Sequence, residues 1–357
     1  MMKVAYDHQA FVLQKFGGIS RYFTKLVVNS TEDLVSSRVF APRHQNQYLK
    51  DLPREMVVGD YTPSFLPKSW RIYDIYNHVA SRKAIASWRP DIIHETYYSQ
   101  ITTRKNKYPV VLTVFDMIHE IFADQISRFD RTKKLKRAAV DRADHVICIS
   151  ENTKRDLIDL YGISDDKISV IHLGFDAFPQ RAQDEMFFDQ HNPYILYVGL
   201  REGYKNFMRM IEAVASSTSM CKDFNVVAFG GPPFSRTELA RFYSLGFSEG
   251  QIKHVVGSDD LLASFYKKAS LFVYPSLYEG FGIPPLEAMG QCCPVACSDT
   301  SSIPEIVSFA GEYFDPNDIG DIRSALERVL YSQDRALQLI ELGKRRLRDF
   351  SWERCRN

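Results

Sequence analysis

The sequence predicts an α/β protein of two doubly wound domains, and three observations lead to this expectation. Short apolar runs rich in β-branched residues recur along all 357 residues, with stretches long enough for helices between them. These runs are continuously hydrophobic rather than alternating, which is typical of parallel strands covered on both faces. The chain is also longer than one compact core usually takes, so that two domains are expected.

The predicted strands form two series, one in each half of the chain. The segments of the first series are 2–7, 36–41, 91–96, 109–116, 145–150 and 168–174. The segments of the second series are 194–200, 224–231, 252–257, 271–276, 293–299 and 311–316. The polar stretch 176–193 has no periodicity and is predicted as a linker between domains 1–175 and 194–357. Such Rossmann-like domains bind ligands at the carboxyl ends of their strands, so two facing domains would bind a ligand between them.

Composition excludes several classes of protein. The chain is 45% hydrophobic and 25% charged with a net charge of +1, which is ordinary for a soluble globular protein and gives no attraction to nucleic acid. It has no apolar run that could span a bilayer and no apolar core of a signal peptide, so a cytoplasmic protein is expected. The six cysteines fit neither a disulfide framework nor a zinc site, and we expect reduced, buried thiols.

The most informative segment is YPSLYEGFGIPPLE at 274–287, which follows a predicted buried strand. Pro284 and Pro285 fit the first turn of a helix, where a missing N–H group costs nothing. Glu279 then precedes this helix, and Glu287 lies about one turn into it. Both carboxylates can face one ligand at the helix N-terminus, and carboxylates readily accept hydrogen bonds from hydroxyl-rich groups such as ribose and hexose.

Two alternative roles for these glutamates fit the segment less well. A pair of glycosidase carboxylates needs one member with a raised pKa, and nothing in the segment indicates this. A helix-capping acid explains one glutamate but not the position at the end of a strand. Gly280 and Gly282 would moreover let the backbone come close to a ligand, which capping alone does not require. A ligand-binding pair is therefore favoured.

Two further loops follow predicted strands. Gly17 and Gly18 form a turn before an amphipathic helix; the pair either lets backbone N–H groups approach a phosphate or sugar, or is a plain turn. Arg201 and Lys205 lie where a loop meets the start of another helix. Two cations at a helix N-terminus suit a diphosphate, although a solvated basic pair is the ordinary alternative.

In these motifs the chain resembles the retaining GT-B enzymes of glycosyltransferase family 4. Glu279 and Glu287 in EGFGIPPLEAM match the E-x7-E signature of that family. VGLREGYKN at 198–206 is similar to its glycine–basic–lysine element. Residues 145–157 and 292–307 resemble further segments, so that the resemblance covers nearly the whole chain. It implies a GT-B fold of two doubly wound Rossmann-like domains that face each other across a cleft.

The resemblance also implies an activity. FGGISRYF at 16–23 is similar to bacterial polysaccharide and O-antigen members, many of them mannosyltransferases of lipopolysaccharide biosynthesis. The expected reaction is transfer of a hexose, with mannose favoured, from a GDP- or UDP-linked sugar to a glycan or lipid-linked acceptor, with retention of configuration. No further cofactor is expected.

Roles for individual residues follow from the resemblance in the same way. Glu279 would contact hydroxyl groups of the donor sugar, and Glu287 would bind the ribose hydroxyls. The diphosphate would be held by basic side chains and a backbone cradle, with a glycine turn of the first domain under the donor. The residues of this implied set are Gly17, Gly18, Arg201, Lys205, Phe281, Gly282 and Ile283.

One departure from the family pattern affects the sugar contact. Many members carry a histidine followed by an aspartate at the end of the strand that is 109–116 here, whereas this chain has Phe115 before Asp116. His119 follows three residues later. With Glu279, His119 and Asp116 are the candidate catalytic residues, and each of these two either reaches the sugar or only caps and packs. Because of Phe115, a sugar-nucleotide-binding module with little or no turnover is the alternative function.

Two expectations concern metal and membrane. No D-x-D triplet occurs, so a metal-held diphosphate is not expected; Arg201, Lys205 and a helix N-terminus would stabilise the leaving group instead. Residues 128–144 hold seven Lys and Arg residues against three Asp residues. This segment either makes a peripheral contact with anionic lipid or forms a solvated helix face.

Overall fold

The computed structural model describes residues 1–28, 34–63, 65, 70–101, 108–178, 193–201 and 203–356. The chain divides into two compact units: unit 1 is Met1–Gly174 together with Trp352–Asn357, and unit 2 is Phe175–Ser351. The predicted linker 176–193 lies mostly outside the described residues. The division differs from the predicted one at the end of the chain, because the last residues group with unit 1 rather than with the second domain.

Unit 1 is built on a parallel sheet that has seven strands in the described residues. They are β1 (Met2–Tyr6), β2 (Val35–His44), β3 (Val57–Tyr61), β4 (Ile92–Glu95), β5 (Val110–Val114), β6 (His145–Cys148) and β7 (Ile168–Val170). Their order is β3-β2-β1-β4-β5-β6-β7, so that the winding reverses beside β1, as in a doubly wound fold. The predicted strands of this half are confirmed, and β3 is an edge strand that the sequence analysis missed.

The helices of unit 1 connect these strands. They are α1 (Gln9–Leu13), α2 (Gly18–Val28), α3 (Gln47–Lys50), α4 (Trp70–Trp88), α5 (Ile118–Ile121), α6 (Thr132–Arg142) and α7 (Glu151–Tyr161). Among the described residues, no helix is long and apolar enough to cross a membrane.

Unit 2 repeats this architecture with six strands in the described residues. They are β8 (Tyr194–Val198), β9 (Asn225–Phe229), β10 (Ile252–Val255), β11 (Leu271–Tyr274), β12 (Val295–Ser298) and β13 (Gly311–Phe314). Their order is β10-β9-β8-β11-β12-β13, and all pairs are parallel. Every residue of β11 and β12 is buried, as expected for strands covered on both faces.

Further helices cover the second sheet or follow it in the chain. They are α8 (Phe207–Ala215), α9 (Thr218–Asp223), α10 (Arg236–Ser244), α11 (Asp259–Lys268), α12 (Ile283–Gly290), α13 (Ile303–Val307), α14 (Ile319–Leu330), α15 (Gln333–Arg346) and α16 (Trp352–Arg356).

Helix α16 belongs to unit 1 because its side chains are part of that core. Cys355 is buried in the cluster of α2 and β1 side chains, and the ring of Trp352 lies 6.3 Å from that of Tyr22. Gly174 lies so close to Trp352 that a Cβ atom there would approach the indole ring to 2.5 Å. Of the six cysteines, all free thiols in this structure, four are buried as expected, whereas Cys221 is half-buried and Cys292 is exposed.

His94 is a buried, neutral histidine in the core of unit 1. Its Nε2 atom lies 2.9 Å from Thr113 Oγ1, and its ring packs 5.1 Å from that of Phe23. Burial disfavours the charged imidazolium and lowers the pKa of His94 from 6.5 to about 3. Between these two values the unfolded chain binds a proton that the folded chain does not bind.

We therefore expect unit 1 to lose stability on acidification from about pH 6.5 downwards, with a contribution from His94 of up to about 1.4 kcal/mol per pH unit. Above that range the contribution is fully present. His94→Gln should flatten this slope. Urea unfolding followed by tryptophan fluorescence isolates the effect, because all three tryptophans lie within unit 1. Equal slopes for the wild type and His94→Gln would contradict the assignment.

Candidate functional site

The candidate site in unit 2 is built at the carboxyl ends of β8, β11 and β13. Asn206 follows β8 with a left-handed backbone (φ 58°), and its amide donates hydrogen bonds to the carbonyl oxygens of Pro275 at 3.1 Å and Pro316 at 2.8 Å. The Leu277 N–H donates to the Tyr204 carbonyl oxygen at 2.7 Å. The three loops after these strands are thus joined at one edge of the sheet.

Helix α12 begins at this edge, as the prolines predict. Gly282 precedes the helix with φ 119°, which a residue with a side chain rarely adopts, and Pro284 and Pro285 occupy the first turn. The chain therefore passes from β11 into a helix N-terminus within a few residues. The backbone N–H groups and the dipole of such an N-terminus favour an anion.

Lys205 forms an ion pair with Glu279, which precedes this N-terminus by a few residues in the chain. Lys205 Nζ lies 2.7 Å from Glu279 Oε1, although the residues come from loops after different strands. The Glu279 backbone is fixed on both sides, because its N–H donates to Ser301 Oγ at 3.0 Å and its carbonyl oxygen accepts from Ser302 Oγ at 2.8 Å. The Glu279 side chain is only 10% exposed. The structure thus brings together two residues of the predicted site.

Glu287 lies further along α12 and is half-buried. Its Oε2 atom accepts a hydrogen bond from the hydroxyl of Tyr266 on α11 at 3.2 Å. The two glutamates therefore lie on either side of the N-terminus of α12 in the chain, as the sequence analysis expects.

The segment between the two glutamates is fixed by contacts within unit 2. Phe281 is buried and packs edge-on against Phe350 at 5.8 Å, while its carbonyl oxygen accepts from Ser302 Oγ at 2.8 Å. Ile283 is the half-buried first residue of α12. This is compatible with the predicted backbone cradle, in which the main chain from Phe281 to Ile283 faces the ligand.

Arg201 is held inside unit 2. Its guanidinium donates to Glu238 Oε1 at 2.8 Å and to the carbonyl oxygens of Pro232 at 2.7 Å and Pro233 at 3.2 Å, and it stacks over the ring of Phe234 at 4.6 Å. The side chain is 3% exposed. These contacts join the loops after β8 and β9. The structure therefore does not place the Arg201 guanidinium in the cluster of Lys205 and Glu279, and its diphosphate role stays a prediction.

The glycine pair of unit 1 lies at the start of α2 and is separated from β1 by α1, a helix that the sequence analysis did not expect. The Gly17 carbonyl oxygen accepts from the Arg21 N–H at 3.0 Å. A Cβ atom at Gly17 would approach Gln14 Oε1 to 2.4 Å, whereas Gly18 has open space around it. Gln14 Oε1 also accepts from the Ser20 N–H at 3.0 Å, so that this side chain already serves one backbone donor of α2.

Asp7 is a buried acid at the end of β1 that the sequence analysis missed. Its Oδ1 atom accepts from the Thr96 N–H at 2.9 Å and from Thr96 Oγ1 at 2.7 Å, and its Oδ2 atom accepts from Gln9 Nε2 at 2.6 Å. These bonds join the loops after β1 and β4. The signal in the sequence is an acid directly after the first buried strand.

Asp116 and His119 lie in the loop and short helix after β5. Asp116 Oδ1 accepts from the Ile118 N–H at 3.0 Å. His119 Nε2 lies 3.9 Å from Asp130 Oδ2, and its buried Nδ1 atom has no hydrogen-bond partner in the described part of the chain. Phe115 packs against the ring of Tyr22 at 5.5 Å and thus belongs to the core. The catalytic roles of Asp116 and His119 stay predictions.

Comparisons with known proteins agree with this architecture. Residues 180–346 match the family model of glycosyl transferases group 1, and residues 16–177 match that of glycosyltransferase family 4. The O-antigen chain mannosyltransferase B of Escherichia coli is 29% identical over 361 residues, which cover 95% of this chain and 93% of the relative. Each half of the chain thus matches a glycosyltransferase family model, and the two parallel sheets have the GT-B fold.

Two further relatives show the range of the similarity. The O-antigen chain mannosyltransferase RfbU of Salmonella typhimurium is 26% identical over 276 residues, covering 75% of this chain and 72% of the relative. The structure of Anabaena HepE in complex with UDP has a TM-score of 0.72 at 16% identity and covers 100% of this chain and 97% of HepE. The latter similarity shows that the fold is shared.

The basic segment 128–144 is less available to a lipid surface than its composition suggests. Lys136 is fully buried on α6, 2.7 Å from Glu120 Oε2, and Arg142 pairs with Glu95 at 2.5 Å. These two cations stabilise the interior of unit 1. Five exposed basic residues remain for a lipid contact, which stays a prediction: Arg128, Arg131, Lys133, Lys134 and Arg137.

The internal position of Arg201 gives a prediction about the stability of unit 2. Arg201→Met should lower the free energy of unfolding of unit 2 by about 1.5–3 kcal/mol, because it leaves Glu238 and two carbonyl oxygens without their charged donor. The control Arg241→Met breaks an exposed pair with Glu212 and should cost less than about 1 kcal/mol. Scanning calorimetry measures both. A fully stable Arg201→Met that has lost affinity for GDP and UDP would instead favour the diphosphate role.

Proposed function

We propose that this protein transfers a hexose, with mannose favoured, from a GDP- or UDP-linked sugar to a hydroxyl of a glycan or lipid-linked acceptor, with retention of configuration. The observation that carries the proposal is the 2.7 Å pair of Lys205 and Glu279 beside the N-terminus of α12, with Glu287 further along that helix. The mannosyltransferase names of two relatives support the sugar, and the UDP in the HepE complex supports a nucleoside-diphosphate donor.

The charged groups follow one another in the site in the same order as the sugar, diphosphate and ribose of such a donor. The diphosphate is the anionic middle of a sugar nucleotide, and the N-terminus of α12 with Lys205 is the cationic middle of the site. Glu279 precedes this N-terminus in the chain and would accept hydrogen bonds from the sugar. Glu287 lies about 6 Å further along the helix axis than Ile283 and would accept from the ribose.

The proposed reaction needs charge stabilisation where the diphosphate leaves. The bond from the anomeric carbon to the phosphate oxygen breaks, and the acceptor hydroxyl attacks from the same face and gives its proton to the departing diphosphate. Lys205 and the N–H groups at Gly282 and Ile283 would stabilise the growing negative charge without rearrangement. Glu279 would hold the sugar hydroxyls as positive charge develops on the ring.

The competing proposal is a sugar-nucleotide-binding module with little or no turnover. Phe115 favours it, because the packed ring replaces a side chain that could form a hydrogen bond. Incubation of the protein with GDP-mannose and UDP-hexoses distinguishes the two functions, since a transferase releases the nucleoside diphosphate and forms either free sugar or a glycosylated acceptor. Nucleotide binding without release of any donor sugar would favour the module.

We also propose a cytoplasmic location with peripheral lipid contact through 128–144.

Substitution of the two glutamates should have different effects if Glu279 binds the donor sugar and Glu287 binds the ribose. Glu279→Gln should slow sugar transfer roughly 10²–10³-fold and leave the affinity for bare GDP or UDP nearly unchanged, because the bare nucleotide has no sugar. Glu287→Ala should weaken the binding of bare GDP or UDP by about 1.5–3 kcal/mol. Calorimetric titration and initial rates measure these quantities.

Glu341→Gln is the matched control for both variants, because this exposed glutamate of unit 2 pairs with the exposed Lys344 at 2.6 Å, three residues later in the chain. It should change neither quantity. Equal effects of Glu279→Gln and Glu287→Ala on affinity and on rate would contradict the assignment of one glutamate to the sugar and the other to the ribose.

A second prediction concerns metal ions. The described residues contain no group of three or more His, Cys, Asp or Glu side chains placed to hold a metal, but this does not test the reaction itself. We expect chelation by EDTA to leave the transfer rate largely intact, because Lys205 and the helix N-terminus neutralise the diphosphate. Complete loss of activity that is restored by magnesium or manganese would show that the diphosphate site has been misread.

A further inference from the structure

Two buried tyrosines lie beneath the glutamates of the candidate site. Tyr266 on α11 is 0% exposed, and Tyr274, the last residue of β11, is 3% exposed. The ring of Phe272 lies between them, at 5.3 Å from Tyr266 and 5.9 Å from Tyr274. The three rings thus form one packed aromatic cluster of α11 and β11.

Each phenol lies near a different glutamate. The Tyr266 hydroxyl donates to Glu287 Oε2 at 3.2 Å, and the Tyr274 phenol is close enough to Glu279 for that carboxylate to raise its pKa. Burial first and the neighbouring carboxylate second raise the pKa of both phenols well above 10. The phenols therefore keep their protons, and because a carboxylate only accepts, the hydroxyl is the donor wherever phenol and carboxylate bond.

Tyr274 also lies close to the other parts of the site. Its ring centroid is 6.0 Å from Lys205 Nζ, and a Cβ atom at Gly282 would lie 3.8 Å from the ring. The lysine, the turn into α12 and Glu279 are thus arranged around one rigid ring. Side chains locked by packing in this way hold the groups that they bond in a fixed geometry.

We propose that Tyr274 and Tyr266 are positioning residues with separate duties: Tyr274 orients Glu279 towards the donor sugar, and Tyr266 orients Glu287 towards the nucleoside. The proposal rests on the proposed function of the two glutamates and deepens it. Neither tyrosine touches the ligand, and each acts through the carboxylate that lies near its hydroxyl.

Phenylalanine is the informative substitution, because it keeps the ring and removes only the hydroxyl. Tyr274→Phe should lower the rate of sugar transfer about 10-fold, the effect of losing one hydrogen bond to a charged group, with unchanged affinity for bare GDP or UDP. Tyr266→Phe should lower the affinity for bare GDP or UDP by a similar factor. A purely structural role would give neither pattern, since it would lower stability alone.

Tyr194→Phe is the control within the same unit. Tyr194 is also a buried tyrosine, but its hydroxyl donates to the carbonyl oxygen of Phe265 at 2.8 Å rather than to a glutamate. Its loss should lower the melting temperature as much as the other two substitutions do and change neither rate nor affinity.

Double variants separate the failure of this inference from the failure of the proposed function. If Tyr274 acts through Glu279, Tyr274→Phe should add little to the rate loss of Glu279→Gln, and Tyr266→Phe should add little to the affinity loss of Glu287→Ala. Additive losses, or Phe variants that behave as Tyr194→Phe does, would overturn the positioning roles while the glutamate assignments stand. Unchanged rate and affinity in Glu279→Gln and Glu287→Ala would overturn the function and the positioning roles together.

Discussion

The hydrogen bonds of Asn206 are the constraint on which the candidate site depends. A residue with a side chain seldom adopts a left-handed backbone, but asparagine tolerates it because its short amide can bond to nearby groups. Here the amide donates to the carbonyl oxygens of Pro275 and Pro316, and so fixes the loops after β8, β11 and β13 against one another. Lys205 is the residue directly before this junction, and its position is set by it.

The remaining geometry follows from this junction and from the short turn into α12. Glu279 is held by Ser301 and Ser302 through its backbone and by Lys205 through its side chain. Positive and negative groups are therefore already in place at the edge of the sheet. Such preorganisation is what makes a fixed electrostatic site effective, because little rearrangement is needed when the charge of a leaving group develops.

The sequence predicts those elements whose structure is determined by residues close together in the chain. Continuous β-branched runs identify the buried strands, and the Pro-Pro pair identifies the start of α12, because periodicity and proline chemistry act over a few residues. Strand β3 was missed since an edge strand is only half-buried, and VVGDY has a single apolar pair before Gly59.

Contacts between distant residues could not be predicted in this way. Arg201 has the same pattern as a ligand-binding cation, and only the fold shows that Glu238 and the carbonyl groups after β9 enclose it. Lys136 was counted with a basic surface, although tertiary packing buries it beside Glu120. Charge counts along a helix do not reveal which cation faces the interior. In the same way, the sequence does not reveal that Tyr266 and Tyr274 pack near the two glutamates.

The central claim is that one edge of the second sheet holds a nucleoside diphosphate in a defined direction. A crystal structure of the protein with bare GDP or UDP tests it most directly. We predict the phosphates at the N–H groups of Gly282 and Ile283 with Lys205 beside them, and the ribose hydroxyls on Glu287. A nucleotide bound elsewhere, or one whose ribose lies on Glu279 while Glu287 makes no contact, would contradict it.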